Sequence, residues 1–196
     1  MNSTKFLGIH YDEKLNFKHH INILTGKLAK LAGMIYSLHS FLPTRILKII
    51  YNAHVNSLLN YNTIIWCCNY VSNIKPLHLL QKRIIRNVTK SDYKAHSKPL
   101  FKKTNVLTVY DVNKYFMGSQ FKKWPNKYID PLRPNHNHNT RHNHILRPFQ
   151  HGLSMVRNSF LVQGVTNYNE IPLNIKISGS LNSFKRNYKK YLISLY

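Results

Sequence analysis

Along residues 17–38 apolar side chains return at alternating steps of four and three, at Phe17, Ile21, Leu24, Leu28, Leu31, Ile35 and Leu38. Steps of that size hold one seam on one side of a helix, so the stretch predicts a long amphipathic helix of coiled-coil type. Asn16 offers the cap ahead of it. Phe41-Leu42-Pro43 closes it, because proline lacks an amide donor and biases the residue before it away from helix. Gly26, Ala29 and Gly33 lie off the seam, where small side chains would let a neighbour approach. Thr44 opens a second helix through Ile46, Ile49, Ile50 and Ala53 to about Leu59, and the short connection makes the pair an antiparallel hairpin. Ahead of both, residues 5–11 alternate around Gly8 and predict one short strand.

The pattern resumes with Ser72 or Asn73 as cap of a third helix, whose apolar positions are Leu77, Leu80, Ile84 and Val88. Lys82, Arg86 and Lys90 recur every four residues on its opposite side, and Arg83 widens that stripe. A fourth helix is predicted over Thr108–Trp124, opened by Thr108 and Asp111 in a T-x-x-D arrangement related to the capping box. Residues 125–152 lose all periodicity and are rich in Pro, His and Asn, which predicts an irregular connector. Met155 to Val165 alternates loosely enough for a strand or two around Gly164. At the tail Leu181, Phe184, Tyr188, Tyr191 and Leu195 are again spaced three and four, with Lys185, Arg186, Lys189 and Lys190 on the exposed side of a terminal helix. The chain thus divides at 1–16, 17–124, 125–152 and 153–196. Its predicted class is mainly α: an antiparallel helical bundle with a short N-terminal strand and a small irregular or β C-terminal region ending in a helix.

Charge changes the picture most. The 29 Lys and Arg against 6 Asp and Glu give a formal +23, and 12 His stand ready to add to it in acid. Such an excess repels itself in a compact state unless a polyanion neutralises it, so the expected partner is nucleic acid. The alternative for the stripe on the third helix is an ordinary solvated face. A membrane is not expected, because the most apolar window, Leu58 to Cys68, is short and broken by Asn60, Asn62 and Thr63. Met1 to Thr4 lead straight into a strand-like run with no signal-peptide pattern, so the expected location is intracellular, cytoplasmic or nuclear. Cys67 and Cys68 are adjacent, which suits neither a structural disulfide nor a zinc half-site and predicts buried free thiols.

Little in the chain points to catalysis. A two-metal phosphoryl-transfer site needs converging carboxylates. The only close pair among the 6 acidic residues is Asp12-Glu13, whose place before Asn16 suits a helix entry. His136, His138, His142 and His144 have spacings that could offer imidazoles to zinc, but the segment lacks a thiolate and carries Arg141. No nucleophile elbow and no Gly-rich phosphate loop are present. On its own residues the chain reads as non-catalytic, without cofactor or metal.

Several short stations carry a resemblance. They run from Phe6-Leu7-Gly8-Ile9, Asp12, Leu15, Phe17 and His20-Ile21 through Leu42-Pro43, Leu47, Tyr51, Leu59, Tyr61 and Trp66. Next come Leu80-Gln81-Lys82-Arg83, Arg86, Ser91, Pro99-Leu100-Phe101 and Leu107, then His138-Asn139-Thr140-Arg141, Ile171-Pro172 and Leu181-Asn182-Ser183-Phe184-Lys185. In order and spacing they resemble the C-terminal part of reverse transcriptases, RNA-directed DNA polymerases, from non-LTR retrotransposons of the jockey-like kind. The resemblance covers nearly the whole chain. Asn62 stands where that family often has Gly and Tyr168-Asn169 where it often has Trp-Asn, and the family's occasional zinc knuckle is missing. It implies that residues 1–16 are a remnant of the polymerase palm, that 17–124 are thumb-like, and that the catalytic aspartates lie in a part of the enzyme upstream of Met1. The implied partners are RNA or an RNA–DNA hybrid, with target DNA a further option, and the missing palm and fingers. The candidate phosphate-binding residues are Lys82, Arg83, Arg86, Lys90, Lys94, Lys102, Lys103 and Arg141. The alternatives are a helical interaction module, whose seams from Phe17 and Leu181 recruit partner helices, and a metal-binding protein built on the His cluster.

Overall fold

Leu7 and Gly8 take positive φ values of 45° and 80° in succession, the turn that matches the twist of two antiparallel strands. In the computed structural model, which describes residues 3–132, 145–148 and 152–196, the chain reverses there. Strands β1 (Ser3–Phe6) and β2 (Ile9–Asp12) therefore pair antiparallel, with Ser3 opposite Asp12 and Phe6 opposite Ile9. Residues 5–11, expected as one strand, are the two arms of a hairpin, because the Gly8 that interrupts the alternation turns the backbone. The Tyr61 hydroxyl fastens the tip by donating to the Leu7 carbonyl at 2.6 Å.

Asp12 closes the next turn, its carboxylate accepting from the Asn16 amide at 2.8 Å. Asp12 thus shapes the turn that leads to the helix, whereas neither acid of the pair lies in the first turn of α1, whose cap position is Phe17. Asn16 in turn accepts from the Lys18 amide at 2.9 Å, and α1 runs from Lys18 to Leu38. Its expected seam is the buried one: Phe17, Ile21, Leu24, Leu28 and Ile35 are in the core, and Leu31 and Leu38 pack against it half-buried. Gly26 and Gly33 meet nothing within 4 Å, and Ala29 is exposed, so no described element comes close to that small-residue face.

After Pro43, α2 (Thr44–Ile50) passes without a break into a π-helical segment, Tyr51–Asn56, and then α3 (Ser57–Asn60). The buried positions are Leu47, Tyr51, Val55 and Leu59, all at 0% exposure. The expected face, Ile46, Ile49, Ile50 and Ala53, is instead exposed or half-exposed. Residues four apart drift by about 40° per step on an α-helix. The wider i→i+5 turn takes up that drift and keeps the four residues on one side.

Asn62 adopts φ 47°, a left-handed turn that Asn tolerates and Gly favours. It leads into α4 (Thr63–Trp66), whose Trp66 indole donates to the Tyr61 carbonyl at 2.9 Å. The third predicted helix is α5 (Val71–Thr89). It starts one to two residues before the expected caps, and the Asn69 side chain accepts from the Tyr70 amide at 2.7 Å. It ends on Lys90 at φ 54°, with the Ser91 amide bonded to the Arg86 carbonyl at 3.0 Å, a Schellman closure. α1 lies along α5, and together with α2, α3 and α4 they enclose the first core.

Within that core Gln81 is wholly buried. Its Nε2 donates to the Tyr51 hydroxyl and to the Leu107 carbonyl, both at 2.9 Å, and its Oε1 accepts from the Val109 amide at 2.9 Å. A short helix that the periodicity did not announce, α6 (Ser97–Thr104), follows. Then comes α7 (Val109–Lys123), opened as expected by Thr108, whose hydroxyl accepts from the Asp111 amide at 3.3 Å. The start of α7 belongs to the first core through Val109, and Val112 and Phe121 belong to a second.

Residues 125–132 are not irregular. They form α8 (Pro125–Tyr128) and a 3-10 turn, Asp130–Leu132. The His cluster and Arg141 lie outside the described residues. The expected strands at 155–165 are also replaced, by α9 (Ser154–Arg157) and α10 (Phe160–Glu170). Val162, Val165 and Tyr168 recur every three residues and are buried. Gly164 lets the fully buried Phe121 ring lie so close that a Cβ there would be 2.5 Å from it. After α11 (Leu173–Lys176), the tail forms α12 (Leu181–Ser194), capped by Ser180. Phe184 and Tyr188 are buried as expected, whereas Leu195 is exposed and Leu192 and Ile193 are buried. Of the basic residues expected on its exposed side, Arg186 and Lys190 are exposed and Lys185 and Lys189 half-buried. Tyr196 ties the cores together, accepting from the Thr108 amide at 2.9 Å and donating to Asp111 at 2.6 Å. The fold is mainly α, with one two-stranded sheet at its N-terminal end. Among the described residues, no helix is long and apolar enough to cross a membrane.

Candidate nucleic-acid interface

α1 and α5 lie side by side with their C-terminal ends together, and the turns that stop them decide which side chains meet there. The Schellman turn at Lys90 and the residues after Leu38 leave a cleft of about 620 Å³. Arg83, Arg86, Asn87, Lys90, Ser91 and Tyr93 line one side, and Tyr36, His39 and Ser40 the other. Among the described residues no carboxylate lines it. Two helix C-termini bring about one negative charge between them. Three cations stand against that, so the cleft stays positive.

The cations differ in freedom. Arg83 and Lys90 are exposed. Arg86 is half-buried and its Nε donates to the Ala95 carbonyl at 2.9 Å, which pins residues 91–96 against α5. Tyr36 and Tyr93 are 56% and 76% exposed. His39 stacks on Tyr36 with centroids 5.0 Å apart. The Asn87 side-chain nitrogen has no hydrogen-bond partner among the described residues.

Of the sequence-derived candidates, the structure therefore gathers Arg83, Arg86 and Lys90. Lys82 is half-buried on α5 and off the cleft, where its charge acts on His78. Lys94 is exposed on the following loop without lining the cleft, and Lys102 and Lys103 are exposed at the end of α6. Arg141 lies outside the described residues. Tyr36, His39, Asn87, Ser91 and Tyr93 were not among the candidate phosphate-binding residues, although Ser91 is one of the stations of the resemblance. The one signal for Tyr36 is its position off the apolar seam of α1.

Two further hollows are less charged. One of about 880 Å³ lies between the Tyr11–Phe17 turn, α4 and the start of α10, with Leu15, Ile65 and Phe160 on its walls. The other, of about 400 Å³, runs between α7 and α10. Cys67 and Cys68 are free and buried, as expected, and burial pushes their thiols up to about 12 and about 11. They are protonated at neutral pH and poor nucleophiles. Burial also holds the His20 imidazole down at about 4, helped by the neighbouring His10, and its Nδ1 has no partner among the described residues. Among the described residues no group of three or more His, Cys, Asp or Glu is placed to hold a metal ion. The chain matches no protein-family model, no curated protein and no solved structure.

Proposed function

We propose that this chain is a non-catalytic, thumb-like fragment of a non-LTR retrotransposon reverse transcriptase that holds template and primer through phosphate contacts. The observation that carries this reading is the cleft at the joint ends of α1 and α5, where Arg83, Arg86 and Lys90 face solvent or a void with no carboxylate among the described lining residues. The chain-wide +23 adds a long-range attraction for polyanions. Two smaller observations agree with the resemblance. Asn62 occupies a left-handed turn of the kind that suits the family's Gly, and the outer strand edges of the hairpin, unpaired among the described residues, suit a sheet that continues into a palm.

The test is affinity for a labelled RNA–DNA hybrid as a function of salt, read by fluorescence anisotropy. With six to ten phosphate contacts the association constant falls by roughly 10³ to 10⁵ between 50 and 200 mM. Replacing Arg83 by Ala and Lys90 by Gly lowers the salt slope by about two contacts. Glycine is chosen because the left-handed Lys90 accommodates it without strain. A salt-independent constant would remove the basis of the proposal.

A further inference from the structure

We propose that the α1–α5 cleft is a single-strand site: it takes unpaired nucleotides, with bases against both Tyr93 and Tyr36 and a flanking phosphate on Arg83 and Lys90. This rests on the nucleic-acid reading above and goes further, since phosphate contacts alone do not distinguish duplex from single strand.

Three observations converge on it. The cleft's volume of about 620 Å³ lies in the range that pockets offer to a small ligand. Duplex phosphates would reach its rim but leave its interior empty. Inside that rim stand two tyrosines that are more than half exposed, beside cations. Exposed aromatic faces bind bases only where the bases can leave their own stack, which a single strand permits and a blunt duplex does not. Finally, the Asn87 amide nitrogen lacks any partner among the described residues. That nitrogen is buried, but Asn87 lines the cleft, so a turn of its side chain would give the donor a partner on a base edge or a phosphate oxygen. The roles of Arg86 and Lys90 in offsetting the helix ends do not account for Arg83, which lies nearly two turns back from the end of α5, or for the two exposed tyrosines.

The experiment compares a labelled oligouridine of about 12 nucleotides with a blunt RNA–DNA hybrid of the same length, using the full chain. Tyr93→Ala and Tyr36→Ala should each weaken oligouridine binding by about 5- to 140-fold, while Tyr93→Phe, which keeps the ring, leaves it within about twofold. All three should leave the hybrid constant within about twofold. Both tyrosines are exposed, so unchanged far-ultraviolet circular dichroism is expected and confirms that the loss is not unfolding. The inference is overturned if the alanine variants bind oligouridine like the parent, or if they lose hybrid and oligouridine binding to the same extent. In either case salt-dependent hybrid binding would survive in the parent, and the broader phosphate-clamp reading would stand. Failure of the parent to bind the hybrid in low salt would instead end that broader reading.

Discussion

Replacing Gln81 by Met tests the structure at its most constrained polar point. Met has nearly the shape of Gln and none of its hydrogen bonds, so the change isolates the network from packing. It would leave the Val109 amide, the Leu107 carbonyl and the Tyr51 hydroxyl without their partner, in a site from which water is excluded. Each orphaned group costs about 1–3 kcal/mol. The lower ends of those ranges already sum to about 3 kcal/mol, against a total stability for a domain of about 5–15 kcal/mol. Tyr51→Phe in the parent removes one acceptor while Gln81 keeps Leu107 and Val109, and should cost about 1 kcal/mol. In the Gln81→Met background the same substitution at Tyr51 removes an orphan and should recover at least about 1 kcal/mol, so the sign of the tyrosine substitution reverses. Urea titrations followed by circular dichroism give all four stabilities. A loss below about 1 kcal/mol for Gln81→Met, or a Tyr51→Phe effect equal in both backgrounds, would refute the network's assigned role.

The remaining predictions concern a proton and the glycines. His20 has its pKa lowered from 6.5 to about 4, so the unfolded chain takes up a proton there before the folded one does. Its contribution is fully present above pH 6.5 and is lost as pH falls towards about 4. With water around His10 and His19 screening the charge, the loss is about 1–2 kcal/mol, and His20→Phe should flatten that part of the stability–pH curve; an unchanged slope would contradict it. Gly164→Ala should destabilise by about 1–3 kcal/mol, because the Phe121 ring blocks the new methyl group and this outweighs the gain in helix propensity. Gly26→Ala and Gly33→Ala face open space and should each add about 0.5–1 kcal/mol in the same denaturation assay, and a shared sign at all three positions would discredit the packing described.

What the sequence revealed and withheld follows from the range of the interactions involved. The α1 seam was readable because one helix face was buried along its whole length at the ordinary heptad spacing. The second helix was misread in its face. Leu47, Tyr51, Val55 and Leu59 repeat every four residues, a spacing that becomes a face only when a π turn absorbs the drift. Residues 155–165 looked strand-like from local alternation, whereas their helix packs on residues far away in the chain, with Val165 in the second core and Phe121 lying on Gly164. At the cleft Arg86 and Lys90 were legible from the four-residue stripe they form with Lys82, and Arg83 from widening it, although Lys82 itself lies off the cleft. Tyr36 belongs beside them only because α1 packs along α5, a contact between residues about 50 positions apart in sequence. Gln81 sat in a run of basic residues with no hint that it faced inward.

Between described residues the single ion pair is Lys114 with Glu170, at 3.3 Å and largely in solvent. Almost all of the described cationic side chains are thus held by the fold without an internal counter-ion, and the folded state bears their mutual repulsion. Any polyanion that prefers the native surface relieves this, and at about a hundred times its dissociation constant it adds about 2.7 kcal/mol to native stability. The heat tolerance of this molecule would then depend on the anions around it, rising wherever a polyanion occupies the native surface and falling where none does.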